Sequence, residues 1–247
     1  MWNLHPETKL GAEASYHGMI NRYLPEGLDT SIDFIIEAGS RDCADAIRLY
    51  RRLNKKVYAF ECNPDALQIC KNNLELNKIS DNEVEIIPKA LHKKNGDIDF
   101  YCTIDTPHPP SHVAKDHINY ISINGARANI GTSSIHPFKE DWLKVHTSLK
   151  TTVECVTLDN FIQSAKKENT KYILCMDLQG AEFYALQGAE KYLKNCQFII
   201  AEGCISQYQA PKECGGESIK FFLKNKGFTH INSHESGDFV FLNQDLL

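Results

Sequence analysis

The sequence has 247 residues, of which 42% are hydrophobic and 24% are charged. A chain of this composition can bury one large core, and α/β sheets of this length commonly form one domain. The net charge of −5 and the pI near 6.1 argue against a nucleic-acid-binding surface, because phosphate binding needs clustered positive charge. We therefore expect a single domain over residues 1–247 that does not bind nucleic acid.

The cysteines and the amino terminus indicate where the protein resides. No two of the nine cysteines have the Cys-x-x-Cys spacing, and most lie in apolar surroundings. Such cysteines are usually small buried side chains in a reducing compartment. The amino-terminal residues show no targeting pattern, and the longest apolar runs are too short to cross a bilayer. These features predict a cytoplasmic protein without a membrane span.

Residues 1–30 are predicted to form a helical extension that precedes the core. Such a segment either caps a pocket, mediates a homodimer or simply packs against the core. The tyrosines, the proline and the glycine of this stretch do not distinguish among these roles.

A βαβ unit follows this extension. An apolar run over residues 33–37 predicts a strand, residues 38–40 a tight turn, residues 42–53 a helix, and residues 57–61 the next strand. Glycine after the first strand lets backbone approach a ligand closely, and a carboxylate after the second strand can accept both hydroxyls of a ribose. The unit therefore predicts a cofactor that contains adenosine, with an ordinary βα turn as the alternative.

The missing glycines favour one adenosine cofactor over another. Dinucleotide sites use Gly-x-Gly-x-x-Gly so that a pyrophosphate can sit at a helix N-terminus. Residues 37–43 contain only Gly39, and Asp42 at the helix start would repel a pyrophosphate. S-adenosylmethionine carries no phosphate, and its ammonium and sulfonium suit nearby carboxylates. The pattern therefore favours S-adenosylmethionine over NAD.

The rest of the chain alternates helices and strands around one irregular stretch. The predicted elements are a helix over 66–77, strands over 84–87 and 98–101, an irregular segment over 103–150, a strand over 153–158, a short helix from Asp159, a strand over 172–177, a helix over 181–193, a strand over 198–202, a helix over 217–226, and a closing hairpin of strands 228–231 and 238–242. An irregular insertion of this length is more often a lid or substrate platform than a passive connection. We expect substrate identity to be set there.

Six short segments at predicted strand ends occur in a characteristic order. They are FIIEAG (34–39), VYAFECNP (57–64), KAL (89–91), GTSSI (131–135), VTLDNF (156–161) and MDLQGAE (176–182). In this order they resemble FkbM-type S-adenosylmethionine-dependent methyltransferases, over roughly residues 30–242. The resemblance implies the class I methyltransferase fold, a Rossmann-like α/β fold. Its seven-stranded, mostly parallel sheet has helices on both faces and an antiparallel last strand.

The resemblance also implies an activity. Members mostly methylate oxygen, often hydroxyls of sugars or of natural products, and S-adenosylhomocysteine is the product. This implies an O-methyltransferase acting on a carbohydrate or related polar acceptor, in surface-glycan or secondary-metabolite biosynthesis. A catalytically idle methyltransferase-like binding module is the alternative. A NAD-dependent oxidoreductase is a third interpretation, which the missing glycines disfavour.

Carried over by position, the resemblance assigns nine residues to the cofactor. They are Glu37, Gly39, Ser40, Glu61, Cys62, Asn63, Lys89, Ala90 and Asp177. The sequence departs from the family at residues 40–43, where a small, glycine-ended turn is common. Arg41 therefore either lines the cofactor site or covers it.

Methyl transfer to a hydroxyl needs a base to take its proton. Asp177 at a strand end either contacts cofactor and substrate or caps the next helix. His136 and His108 are the histidine candidates for the base.

The candidates for binding the acceptor are Ser133, Ser134, Glu182 and Glu202. A turn explains the two serines nearly as well, and the helix dipole explains an acid at Glu182.

The histidines of the irregular segment also raise the question of a metal. His108 and His112 lie four residues apart, but prolines separate them, so no helix aligns the two rings. We predict no metal site.

Overall fold

A computed structural model of the chain describes residues 16–105, 121–123, 126–128, 130–144, 146–233 and 237–244. The strands in these ranges are β1 (Phe34–Ala38), β2 (Lys56–Phe60), β3 (Val84–Ile87), β4 (Ala90–Leu91), β5 (Gly96–Asp105), β6 (Ile121–Ile123), β7 (Ala126–Ala128), β8 (Thr147–Val156), β9 (Tyr172–Met176), β10 (Cys196–Glu202), β11 (Phe228–Ser233) and β12 (Asp238–Asn243). The α-helices are α1 (Tyr16–Tyr23), α2 (Leu28–Ser31), α3 (Ala44–Leu53), α4 (Pro64–Leu76), α5 (Glu140–Leu143), α6 (Leu158–Ser164), α7 (Glu182–Gln187) and α8 (Gly216–Asn225).

Seven strands form the main sheet in the order β11-β12-β10-β9-β1-β2-β3. All neighbours pair in parallel except β12, which runs antiparallel to β10 and β11. The predicted mostly parallel sheet with an antiparallel last strand is therefore confirmed. The chain leaves β1 toward β2 on one side and returns to β9 on the other, so a crevice opens between their carboxyl ends.

Both faces of the main sheet are covered, which explains why its central strands are apolar without alternation. In β1, Phe34 and Ile36 pack into a cluster with side chains from α6, α7 and α8. Ile35 points to the opposite face, into a cluster with side chains from α1, α3 and α4. The predicted arrangement of helices on both faces is confirmed, and the hydrophobic core lies in these two layers.

The segment predicted to be irregular, residues 103–150, is partly regular. Strands β5 and β8 pair antiparallel from Gly96–Cys155 out to Asp105–Thr147, and β4 joins β8 in parallel. Strands β6 and β7 form a separate hairpin. The prediction missed the strand residues 103–105 and 147–150 at the two ends of the segment, because the outer half of the β5–β8 ribbon is mostly polar and shows no apolar alternation. The ribbon also carries an ion pair between its strands, from Lys150 to Asp99 at 2.7 Å.

Two departures from the predicted helix ends are explained by hydrogen bonds to an aspartate. The helix predicted over 42–53 begins at Ala44, because the Asp42 carboxylate accepts the Ala44 backbone N–H at 3.0 Å and so lies before the helix. The helix predicted over 181–193 ends at Gln187. There the Asp159 carboxylate accepts the backbone N–H groups of Lys191 and Tyr192, which holds that stretch out of the helix.

The amino-terminal helix belongs to the core in the described part of the chain. In α1, Tyr16, Met19 and Ile20 are buried against the α3 face of the sheet. The rest of the predicted extension, residues 1–15, lies outside the described residues. All nine cysteines are free thiols, and most are buried. No helix in the described ranges is both long and apolar enough to cross a membrane.

The turn after β1 brings two backbones unusually close together. Gly39 has a φ of +83°, and a Cβ added there would lie 1.9 Å from the carbonyl oxygen of Asp177. The Asp177 N–H donates to the carbonyl of Ala38 at 3.0 Å, and the N–H groups of Gly39 and Ser40 donate to the carbonyl of Phe60. Glycine is therefore required at position 39 both by conformation and by the lack of space.

We expect Gly39→Ala to lower the free energy of unfolding by about 3 kcal/mol or more, since it adds a backbone clash to the strain of a positive φ. Gly27 is a matched control, because it has a φ of +82° and open space around it. Gly27→Ala should lower the free energy of unfolding by only about 1–2 kcal/mol, because it adds the strain of a positive φ without a clash. Urea denaturation of both variants measures the difference, and equal losses would contradict the close approach.

Candidate active site

A cavity of about 230 Å³ opens at the carboxyl ends of β1, β2 and β9. Its wall combines the loops after these strands with α1, α3, β4, β5, the 131–135 segment and the start of β12. Eight of the nine residues predicted for the cofactor line it: Glu37, Gly39, Ser40, Glu61, Cys62, Lys89, Ala90 and Asp177. The ninth, Asn63, is buried, and its side-chain amide donates to Ser133, which lines the cavity. The topology therefore brings the predicted cofactor residues together.

Glu37 is a buried acid in the middle of this wall, with 1% of its surface exposed. Burial raises the pKa of Glu37 well above its usual range, and the nearby Cys43 and Asp45 add to the shift. The Ser40 hydroxyl donates a hydrogen bond to the Glu37 carboxylate and opposes the rise. Burial thus disfavours the ionised form of Glu37, and a cation bound beside it would stabilise that form.

Glu61 is held by the backbone on both sides. Its Oε2 accepts the N–H of Arg41 at 2.7 Å, and its Oε1 accepts the N–H of Asn63 at 2.7 Å. Burial raises the pKa of Glu61, and these backbone donors lower it. Arg41 can donate in this way because it has a φ of +54°. The carboxylate is thus fixed in the cavity wall with lone pairs left for a further donor.

Arg41 lines the cavity and does not lie across it from outside. Its Nη2 lies 3.7 Å from Oδ1 of Asp42, and the charge of Asp42 is the largest cause that raises the pKa of Arg41. Its Nε is buried and has no hydrogen-bond partner among the described residues.

Ser133 closes another part of the wall. Its Oγ accepts the Asn63 side-chain amide at 3.1 Å and the Thr103 backbone N–H at 3.0 Å, which ties the 131–135 segment to β5 and to the loop after β2.

Ser134 points away from the cavity. Its hydroxyl donates to the carbonyl of Gln179 at 2.8 Å and accepts the His136 N–H.

Three acids predicted for catalysis or substrate meet at the ends of β9 and β10. Each of Asp177, Glu182 and Glu202 offers a carboxylate oxygen within 4.8 Å of the others, but only Asp177 lines the cavity. The side-chain amide of Gln179 donates to Asp177 at 2.5 Å and to Glu202 at 3.1 Å. Burial raises the pKa of Glu202 well above its usual range, and the charges of Asp177 and Glu182 add to it. Of the three acids, Asp177 is therefore the one that a ligand in the cavity can reach.

Glu182 has a role in the loop after β9. Its two oxygens accept the backbone N–H groups of Leu178 at 2.6 Å and Gly180 at 3.0 Å. Burial raises the pKa of Glu182 to about 8. Both oxygens of Glu182 are thus bonded to the loop that it closes, and Glu182 does not line the cavity.

Of the two histidines predicted as bases, His136 is described, and it does not line the cavity. His136 lies behind Gly180, where an added Cβ would sit 3.3 Å from Cδ2 of the ring. Burial lowers its pKa, and Nε2 of His136 has no hydrogen-bond partner in the described part of the chain. His108 lies outside the described residues, as do His112 and His117.

The sequence reasoning missed four polar residues that line the cavity: Tyr16, Asp45, Gln179 and Asp238. Asp238 begins an antiparallel strand, so its position at the carboxyl edge of the sheet follows once the direction of β12 is known. Asp45 lies in the first turn of α3, which follows β1. For Tyr16 the sequence carries no signal, because nothing local shows that α1 packs beside β1.

Comparison with known proteins adds three similarities. A family model described as "Methyltransferase FkbM domain" matches residues 36–230. The 2-O-methyltransferase NoeI of Sinorhizobium fredii is 26% identical over 185 residues, which is 74% of this chain and 68% of NoeI. A putative caffeoyl-CoA O-methyltransferase from Staphylococcus aureus superposes with a TM-score of 0.50 and 10% identity over 96% of this chain and 85% of that one.

A fourth similarity concerns a longer protein. Methyltransferase FkbM from Methylobacillus flagellatus superposes with a TM-score of 0.48 and 12% identity over 89% of this chain. The matched region spans 46% of that protein.

We expect Glu182→Gln to lower the free energy of unfolding by about 1–3 kcal/mol, because an amide NH₂ replaces one of two acceptors for buried N–H groups. The native pKa of about 8 lies above the usual value of 4.5, so the folded state holds a proton that the unfolded state releases. Stability from Glu182 is therefore greatest at low pH and falls as the pH rises from about 4.5 to 8.

Urea denaturation at pH 5 and pH 8 measures this effect, and the advantage of the wild type over Glu182→Gln should narrow at pH 8. Glu217, an acid in the first turn of α8 with an 89% exposed side chain, supplies the control. Glu217→Gln should change stability by less than about 0.5 kcal/mol. A difference in stability between the wild type and Glu182→Gln that stays constant or widens from pH 5 to pH 8 would contradict the raised pKa of Glu182.

Proposed function

The chain belongs to the FkbM methyltransferase family, and on this basis we propose that it is an S-adenosylmethionine-dependent O-methyltransferase. The carrying observation is the charge of the cavity. Five acidic and two basic residues line it: Glu37, Asp45, Glu61, Asp177 and Asp238, with Arg41 and Lys89. An excess of partly buried carboxylates favours a ligand with an ammonium and a sulfonium, and it disfavours a pyrophosphate. This supports S-adenosylmethionine over NAD.

The residues fit the two ends of such a cofactor. We assign Glu61 to the ribose, because its carboxylate is fixed by two backbone donors and keeps lone pairs for hydroxyls. Cys62, Lys89 and Ala90 are assigned to the adenosine side. Glu37 is assigned to the ammonium of the amino-acid end. Gly39 supports these assignments, since its close contact with the Asp177 backbone brings the loops after β1 and β9 together at the cavity.

When bound, S-adenosylmethionine supplies a methyl group that an acceptor oxygen takes by in-line displacement, with S-adenosylhomocysteine as product. The acceptor's proton must leave as the new O–C bond forms, and we assign it to the carboxylate of Asp177. Gln179 orients Asp177 through its side-chain amide. Glu202 stays neutral beside it, since burial and the Asp177 charge raise its pKa.

For the acceptor we propose a hydroxyl of a carbohydrate or related polar molecule. Similarity to a 2-O-methyltransferase supports oxygen as the methylated atom. Ser133 supports a polar acceptor, because its oxygen accepts two hydrogen bonds and its own O–H proton remains available to donate. Ser133 belongs to the 103–150 region, which we propose as the substrate platform. The nine free thiols support a reducing compartment such as the cytoplasm.

Isothermal titration calorimetry with S-adenosylhomocysteine tests the donor site. We expect the wild type to bind it, and Glu61→Ala to weaken binding about 10- to 100-fold through the loss of charge-assisted hydrogen bonds. Glu85→Ala is the control, because Glu85 lies on β3 away from the cavity and pairs with Lys56. No binding by the wild type would favour an idle interaction module, and binding of NAD alone would overturn the proposal.

Turnover separates the candidate bases. With the acceptor that gives the fastest release of S-adenosylhomocysteine from a panel of methyl glycosides, Asp177→Asn should lower kcat by about 100-fold or more. His136→Ala should leave kcat within about 3-fold, because its ring lies behind Gly180 and not in the cavity wall. Both assays are run at saturating S-adenosylmethionine, so that altered donor binding does not mask the result. A larger loss of kcat in His136→Ala than in Asp177→Asn would instead identify His136 as the base.

A further inference from the structure

Two buried hydrogen-bond donors of the cavity wall have no partner among the described residues. They are the hydroxyl of Tyr16 and the Nε–H of Arg41. Tyr16 is only 8% exposed, so its hydroxyl is shielded from bulk water. Buried polar atoms are nearly always hydrogen-bonded in folded proteins, and two orphans on one cavity wall indicate a ligand that completes them.

Both donors lie near the same two acids of the cavity wall. After burial, the charges of Asp177, Asp238 and Glu37 are among the causes that raise the pKa of Tyr16. Asp177 and Glu37 are also among the acids whose charges act on Arg41. Glu37 lies on β1, and Asp177 directly follows the neighbouring strand β9. Tyr16 and Arg41 therefore share the neighbourhood of Glu37, which we assign to the ammonium of the cofactor.

A conformational argument supports a role for the Arg41 side chain. Arg41 has a φ of +54°, a conformation that glycine adopts without strain and that other residues rarely adopt. A long cationic side chain kept in a strained turn beside a ligand cavity is typical of a functional residue. Asp42 engages only Nη2, at 3.7 Å, and leaves Nε free.

The acids around these donors restrict what they can bind. Among these acids, Tyr16 and Arg41 together offer an anion a neutral and a charge-assisted donor. We propose that Tyr16 and Arg41 bind the α-carboxylate of the methyl donor's amino-acid end, while the acids beside them bind its ammonium. This inference rests on the proposed donor site. It assigns specificity for an intact amino acid to a tyrosine of the amino-terminal helix and to the arginine that replaces a small turn residue.

Calorimetry with two ligands that differ only in this group tests the proposal. S-adenosylmethionine carries the carboxylate, and decarboxylated S-adenosylmethionine lacks it but keeps the ammonium and the sulfonium. We expect Tyr16→Phe and Arg41→Gln each to weaken binding of S-adenosylmethionine about 5- to 20-fold, the range of a hydrogen bond to a charged group. Binding of the decarboxylated ligand should change by less than about 2-fold.

Tyr23→Phe is the matched control on the same helix. The Tyr23 hydroxyl already accepts a hydrogen bond from the Asn232 amide, and Tyr23 does not line the cavity. Tyr23→Phe should therefore leave the affinity for S-adenosylmethionine and for the decarboxylated ligand unchanged. Thermal melts without ligand provide a second measurement. Tyr16→Phe should not lower the Tm, because it removes a hydroxyl that has no partner among the described residues, whereas a structural hydroxyl would show a loss.

The outcomes separate the carboxylate site from the donor site. If the wild type binds neither ligand, both proposals fail. If it binds both ligands equally, the donor site stands and the carboxylate site is overturned. The carboxylate site is likewise overturned if the two variants lose affinity for both ligands alike, since the side chains would then only shape the cavity.

Discussion

The contact between Gly39 and the backbone of Asp177 is the constraint on which the site depends. Strands β1 and β9 are neighbours, and the Asp177 N–H donates to Ala38 directly beneath the turn. With no room for a Cβ at position 39, the loops after the two strands lie against each other. Glu37, Arg41 and Asp177 thereby reach one cavity although they come from separate parts of the chain.

Burying several acids near one another is unfavourable unless each carboxyl group finds donors. The loops supply these donors with residues in the left-handed conformation. Arg41 has a φ of +54° and turns its N–H toward Glu61. Gly180 has a φ of +99° and turns its N–H toward Glu182. Left-handed backbone conformation at the strand ends is thus linked to the placement of the acids, and the turns that fold the loops also hold the carboxyl groups.

Donors and acids also differ in what they leave free for a ligand. Glu182 is bonded to its own loop and does not line the cavity, and the amide of Gln179 bridges Glu202 to Asp177. Glu61 is fixed by the backbone but lines the cavity, and the hydroxyl of Tyr16 has no partner among the described residues. Acids that maintain the structure are therefore separated from groups that a cofactor can reach, and this division follows their position relative to the cavity and not residue type.

Local sequence patterns predicted the strands of the main sheet, and together with the family resemblance they predicted the class of fold. Buried parallel strands appear as unbroken apolar runs, and the acids and the glycine of the first βαβ unit lie next to those runs, so their positions follow from the strand ends. The polar half of the β5–β8 ribbon left no such pattern, and the Asp159 contact that shortens α7 joins residues far apart in the chain.

Tertiary packing decided which of the candidate side chains face the cavity. Asp177 lines the cavity, whereas His136 does not. Tyr16 lines the same cavity as Glu37 because α1 packs against the sheet. Long-range packing of this kind depends on the relative placement of whole elements. No local spacing of residues encodes that placement.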